Sequence, residues 1–283
     1  MPQTVLELRD AGLSFGDRTL WSGLNLSIEA GEFFAVLGPN GSGKTSFLKV
    51  LLGMQPLSTG TVSIAGQEQG HGNRGVVNRA IGYVPQQKGF APTTPLRARD
   101  LVGLGLDGDR WGIRWPGTPR SRAYRATVDG LLARVGASLY ANAPVGQLSG
   151  GEQQRLRIAQ ALGTDPRILL CDEPLLSLDL KHQREVSALV GAQAHQAGTA
   201  VVFVTHEINP IIDQVDRVLY LAGGKFRVGT VDEVMTSEVL SELYATPVEV
   251  FRSRGRIIVV GHAETPEHPH EHLHEDMTLE VAE

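Results

Sequence analysis

The segment Gly38-Pro39-Asn40-Gly41-Ser42-Gly43-Lys44-Thr45 holds the groups that a phosphate chain needs. It fits G-x-x-x-x-G-K-[ST], between an apolar run, Phe33–Leu37, and a stretch of helical spacing, Thr45–Leu52, that stops at Gly53. Glycines let backbone N–H groups turn toward an anion. The start of a helix adds unpaired amides and the positive end of its dipole. Lys44 can neutralise β- and γ-phosphates, and the Thr45 hydroxyl can reach Mg2+. The chemistry on offer is nucleotide binding.

Two further groups of residues extend that chemistry. The apolar run Ile168–Cys171 leads into Asp172-Glu173-Pro174. Carboxylates that end a buried strand lie at the carboxyl edge of the sheet, where α/β proteins bind ligands. Asp172 can hold Mg2+ through water, and Glu173 can orient and polarise an attacking water. Phosphoryl transfer asks for little beyond positioning and charge stabilisation. The other group is Leu148-Ser149-Gly150-Gly151-Glu152. Ser149 and Glu152 form an S-x-x-E capping box, and helical spacing continues from Gln153 to Leu162. This helix start is a second anion site. If the two sites lie far apart in one chain, the second must serve another molecule. An antiparallel pair of chains would use both sites twice, with isologous symmetry.

The elements that position these residues follow from periodicity. Residues 4–9 and 24–28 alternate as half-buried strands do. Residues 61–65, Ile81–Val84, Ile168–Cys171 and Ala200–Val204 read as strands, with a helix at 181–197 between the last two. The alternation predicts an α/β fold with a parallel sheet and helices on both faces. Residues 87–147 differ in texture: Pro, Gly and Arg come early, 107–121 reads as loop, and 122–136 has helical spacing. This predicts a helical inserted subdomain over about residues 87–160. Val248–Arg252 and Arg256–Val260 flank Ser253-Arg254-Gly255, which predicts a hairpin within 247–261. Residues 262–283 carry His and acids with no Lys or Arg, a composition that predicts a disordered tail.

Composition narrows the class. The 283 residues suffice for one large α/β domain, and a net charge of −5 argues against a broad nucleic-acid surface. The single cysteine, Cys171, allows no disulfide within the chain and fits a reducing cytosol. No apolar stretch of about 18 residues occurs, so a membrane role would need a partner to supply the span. Nothing at the N-terminus has the apolar core of a signal peptide.

The phosphate loop, Gln86, Leu148–Glu152, Asp172-Glu173, Ser177-Leu178-Asp179 and His206 stand in an order that resembles the ATP-binding subunits of ABC transporters. The resemblance covers about residues 4–235. It implies a P-loop core with an antiparallel β subdomain within residues 1–246, ATP hydrolysis, and ATP with Mg2+ as cofactors. Gly38, Asn40, Gly41, Ser42, Gly43, Lys44 and Thr45 would hold the phosphates. Phe15 resembles the aromatic that stacks on adenine, although alone it also reads as a core residue. Gln86 is similar to the glutamine that senses Mg2+ and γ-phosphate, with the adjacent Gln87 as the alternative. Thr45, Gln86 and Asp172 would serve Mg2+. Ser149, Gly150, Gly151 and Glu152 resemble the signature loop that grips the partner subunit's ATP. Asp179 resembles the aspartate that crosses the dimer interface, and His206 the histidine on the γ-phosphate. Glu173, His206 and Gln86 would then be the catalytic groups. A membrane permease, a homodimer of ATPase subunits and a solute-binding protein are the implied partners. The implied place is the cytoplasmic face of the plasma (inner) membrane.

Other classes fit less well. Translation ATPases of this type usually carry two cassettes, and repair ATPases separate phosphate loop and signature by long coiled coils. Neither pattern occurs here. An exporter shares every catalytic motif. Lys88 to Arg114 reads either as a solvated loop or as a groove for a membrane subunit, and resembles most the zinc and manganese uptake ATPases. In the tail, His262, His268, His270, His272 and His274 alternate with acids. Imidazole and carboxylate suit Zn2+. His268, His270, His272 and His274 are the expected ligands, with a solvated polar tail as the alternative.

Overall fold

Three strand pairs begin the chain's computed structural model, which describes residues 3–69, 79–86, 89–108, 115 and 117–261. Strands β1 (Thr4–Phe15), β2 (Arg18–Glu29), β4 (Thr59–Ile64) and β5 (Gln67–Glu68) form an antiparallel sheet in the order β2-β1-β4-β5. The alternation seen over 4–9 and 24–28 marks only part of β1 and β2. Register shifts between Leu8 and Ser14 break the period of two, so the rest of each strand escapes a pattern search.

The central sheet has the order β10-β9-β3-β8-β7-β6. It comprises β3 (Phe33–Leu37), β6 (Ile81–Val84), β7 (Ile168–Asp172), β8 (Ala200–Val204), β9 (Arg217–Ala222) and β10 (Lys225–Gly229). All pairs are parallel except β9 with β10. Every residue of β3, β7 and β8 is buried, which explains runs of apolar residues without alternation. The alternation reappears in what each side chain meets. Phe33, Ala35 and Leu37 join a core with the helices, while Phe34 and Val36 join a second core with β1, β2 and β4.

Helix α1 (Lys44–Leu51) follows β3 and buries Phe47, Leu48, Val50 and Leu51 in the second core. Helices α2 (Ala98–Asp107), α3 (Pro119–Arg134), α4 (Gly150–Ala161) and α5 (Leu180–His195) pack on the other side. Helix α3 starts three residues before the spacing at 122, because Thr118 caps it and Pro119 fills its first turn. This shortens the loop expected over 107–121, of which residues 109–114 and 116 lie outside the described residues. Trp115 is 72% exposed.

Among the elements that the sequence did not announce are β9, β10, and the short helices α6 (Val231–Val234) and α7 (Ser237–Tyr244). Helix α6 is one turn, too short for periodicity. Its capping box, Thr230 with Glu233, was the available signal. The hairpin of β11 (Val248–Ser253) and β12 (Arg256–Gly261) is present, turning at Arg254 and Gly255, both with positive φ. Val248 and Ile257 bury into the main core. The tail, with His262, His268, His270, His272 and His274, lies outside the described residues. No helix among the described residues is long and apolar enough to cross a membrane.

Candidate functional site

Four neighbouring parallel strands end at one edge, and each delivers a group singled out in the sequence. β3 runs into the phosphate loop, β8 into His206, β7 into Asp172 and Glu173, and β6 into Gln86. Sheet order thus gathers residues far apart in the chain.

The phosphate loop is shaped by close approach. Gly38 has φ +144, and a Cβ there would lie 2.1 Å from the Leu221 carbonyl oxygen of β9. Only glycine fits. Lys44 is buried at the first turn of α1, where its ammonium donates to the carbonyls of Gly38 at 2.7 Å and Pro39 at 3.0 Å. Burial lowers the Lys44 pKa, and the charges of Glu173 and Asp172 oppose that shift. Thr45, next along, is exposed. Arg18, which the sequence reading passed over, donates to the Gly41 carbonyl at 3.1 Å. It pairs across the β1–β2 turn with Phe15, which is 48% exposed rather than in the core. The exposed aromatic therefore stands on a hairpin tied to the phosphate loop, as adenine stacking would need. The basic residue three positions after Phe15 was the sequence signal for that tie.

Asp172 is buried, and its Oδ1 has no hydrogen-bond partner among the described residues; the same holds for Ser42 Oγ. Burial, with help from the Glu173 charge, raises the Asp172 pKa above its ordinary value, and Lys44 opposes it. A buried carboxylate oxygen without a partner fits a site for a hydrated divalent cation. Glu173 holds φ +46, in the left-handed region, and its N–H donates to the Val204 carbonyl at 3.0 Å. Glu173 Oε2 lies 2.8 Å from His206 Nδ1. The carboxylate is mostly shielded, while the imidazole is half exposed. Gln86 is exposed just beyond β6, and Gln87 lies outside the described residues.

The signature segment is built as its residues require. Ser149 caps α4 by accepting from the Glu152 N–H at 3.3 Å, and the Glu152 carboxylate accepts from the Ser149 N–H at 2.8 Å. Ser149 and Gly150 are exposed. At Gly151 a Cβ would lie 2.2 Å from the His182 ring, so the helix start packs directly on α5. Asp179 caps α5: it accepts from the His182 N–H at 2.9 Å, with the His182 ring 2.7 Å from its other oxygen. The His182 N–H is the main cause holding the Asp179 carboxyl below its ordinary pKa. No hydrogen bond among the described residues joins the start of α4 to the phosphate loop.

Gln153 is a site residue that sequence reasoning missed. Its side chain is buried and its amide donates to the carbonyls of Val145 at 3.1 Å and Leu148 at 2.9 Å. Its oxygen accepts from the Phe90 N–H at 3.0 Å. The segment after Gln86 is thus tied to the residue before Ser149. Arg157, one turn on, adds its guanidinium over the Phe90 ring at 5.0 Å. A polar residue on the inward face of an otherwise ordinary helix was the signal. Gln153→Leu keeps the volume but leaves the Phe90 N–H and the Leu148 carbonyl without their partner, while the Val145 carbonyl still accepts from the Leu148 N–H. The expected loss is about 3 kcal/mol of stability, since each orphaned buried group costs roughly 1–3 kcal/mol. Thermal unfolding of the two proteins checks it.

Comparison with known proteins agrees with this geometry. The family model described as "ABC transporter" matches residues 21–176. The spermidine/putrescine import ATP-binding protein PotA of Haemophilus ducreyi is 31% identical over 252 residues, covering 89% of this chain. The chain spans 62% of that relative's length. The hemin import ATP-binding protein HmuV of Streptomyces coelicolor is 33% identical over 250 residues, covering 87% of this chain and 86% of the relative. A solved chain from an inward-facing, metal-chelate type ABC transporter superposes with a TM-score of 0.73 at 26% identity, over 93% of this chain and 99% of that one. These relatives are named for polyamines, hemin and metal chelates, so the expected zinc and manganese group is not the one they mark. Motifs, fold and relatives agree at the coarser level: the chain belongs to the ABC transporter family, as an ATPase cassette.

Proposed function

We propose that this chain is the ATP-hydrolysing motor of an importer, working as a dimer beneath a separate membrane permease. The observation that carries the reading is the delivery of Lys44, Asp172, Glu173 and His206 to one sheet edge, together with a second phosphate-gripping helix end at Ser149. Phe15 stacks on adenine and the 38–45 loop wraps the phosphates. Thr45, Asp172 and Gln86 serve Mg2+, which when bound neutralises charge on the β- and γ-phosphates. Glu173 accepts a hydrogen bond from the attacking water and turns its lone pair toward the γ-phosphorus. His206, held by Glu173, faces the γ-phosphate. Ser149, Gly150 and Gly151, with Glu152 holding the cap, grip the partner's nucleotide, and Asp179 lies at the junction. Residues 1–246 form the ATPase body, 247–261 a hairpin extension and 262–283 a tail. The complete system has the permease, a solute-binding protein and a peripheral place on the cytoplasmic face of the inner membrane.

For the cargo we propose a divalent metal ion, zinc or manganese, read from the segment after Gln86 and the histidines of the tail. A metal chelate is the second reading. The hemin relative matches over 86% of its length and the metal-chelate transporter chain over 99%, against 62% for the polyamine relative. Uptake of labelled Zn2+, Mn2+ and hemin, in cells with and without this chain, separates the two. Loss of ion uptake alone supports the first reading, loss of hemin uptake alone the second, and no loss of any refutes both. The tail is proposed to bind Zn2+ through His268, His270, His272 and His274. Calorimetric titration of a peptide covering 261–283 with micromolar Zn2+ tests it, and absence of heat refutes it.

A further inference from the structure

We propose that Asn209 is a positioning residue for His206, and that the β11–β12 hairpin is the fixed post to which it ties the histidine's loop. The inference rests on the reading of His206 as a γ-phosphate ligand. His206 is the second residue of a segment, residues 205–216, with no regular helix or strand to hold it. Such a segment must take its shape from tertiary contacts. Thr205 holds its start, donating its N–H to the Val36 carbonyl at 3.1 Å, and Ile208 and Ile211 bury further along. Asn209 supplies a different kind of anchor. Its amide donates to the Ile257 carbonyl at 2.8 Å, and its oxygen accepts from the Ile257 N–H at 2.8 Å. One side chain thus pairs with both backbone groups of Ile257, as a neighbouring strand would. The partner is rigid in turn, since the Ile257 side chain is buried.

The direction of support follows from the hairpin's own anchors. Ser241 of α7 exchanges hydrogen bonds with Val248, accepting from its N–H at 2.9 Å, and Ser237 accepts from the Val250 N–H at 2.9 Å. With Val248 and Ile257 in the core, the hairpin stays in place without Asn209. The loop is less well supplied. A cleft of about 740 Å³ opens between it and the hairpin turn, with His206, Asn209, Arg254 and Ile257 on its walls. On that side the imidazole borders the cleft. The Asn209 pair spans the gap three residues from His206, and so limits how far the ring can swing from Glu173. A shift of the order of 1 Å at a reacting group can cost about a hundredfold in rate, so partial release of the loop is expected to cost about tenfold.

The test is ATP turnover by the full chain carrying Asn209→Ala, His206→Ala, or both, with ATP affinity measured alongside. Asn209→Ala should lower kcat about tenfold and leave ATP affinity within about twofold. On the His206→Ala background it should have no further effect on kcat, because the residue through which it acts is gone. An undiminished kcat for Asn209→Ala overturns the proposal. So does a loss that repeats in full on the His206→Ala background, which a general weakening of the fold would produce. If His206→Ala alone leaves turnover intact, the catalytic reading of His206 fails first. Where Asn209→Ala does not fold, Asn209→Asp, which keeps the acceptor for the Ile257 N–H, enters the same cycle with the same outcomes.

Discussion

Glu173→Gln is expected to slow ATP turnover by about 10²- to 10⁴-fold while ATP binding persists, the range over which a positioned base contributes. The geometry says why the two effects separate. Glutamine keeps the shape of glutamate and an oxygen that can accept from His206, now 2.8 Å from the carboxylate. It loses only the negative charge that polarises water. Removing that charge relieves Asp172 of a like charge and takes from Lys44 one of the charges that favour its ammonium form. The raised carboxyl pKa of Asp172 owes its second cause to Glu173, and so should fall toward its ordinary value. ATP added to the variant should give a long-lived dimer. Gel filtration with ATP and Mg2+, paired with a phosphate-release assay, reads both halves. Turnover within a few-fold of the parent would refute the role given to Glu173.

Lys44→Ala has the second large effect, and it falls on binding. The Lys44 ammonium donates to the carbonyls of Gly38 and Pro39, which closes the loop, and its third N–H is left for a phosphate. A hydrogen bond to a charged group contributes about 1.5–3 kcal/mol. At 1.4 kcal/mol per factor of ten, the expected loss of ATP affinity is roughly ten- to a hundredfold. A ligand that binds only the folded state raises its stability by mass action. The rise in Tm produced by millimolar ATP should therefore largely disappear in the variant. Equilibrium titration gives the affinity directly, and an unchanged affinity would refute the assignment.

The site was legible in the sequence where backbone chemistry dictates residue type. Gly38 must be glycine because the Leu221 carbonyl leaves no room for a side chain. Ser149 and Glu152 cap a helix by a rule that works locally. The buried strands β3, β7 and β8 were legible for a similar reason, since a strand covered on both faces has apolar residues throughout. What stayed hidden was long-range pairing. Asn209 meets Ile257 across 48 residues and Gln153 meets Phe90 across 63. No spacing rule connects such positions, because the sheet order and the packing of the insert bring them together. Irregularity hid the rest: the register shifts in β1 erased its alternation, and α6 is too short to show a period.

The backbone at Glu173 has one more consequence. Its φ of +46 places a non-glycine residue where side chains crowd the main chain. Such a conformation costs of the order of 1 kcal/mol or more, and glycine would remove most of that cost. Heat tolerance and turnover therefore pull in opposite directions at this position. A search for hardier variants that scored melting alone would be drawn to Glu173→Gly, and would arrive at a sturdier protein that no longer spends ATP.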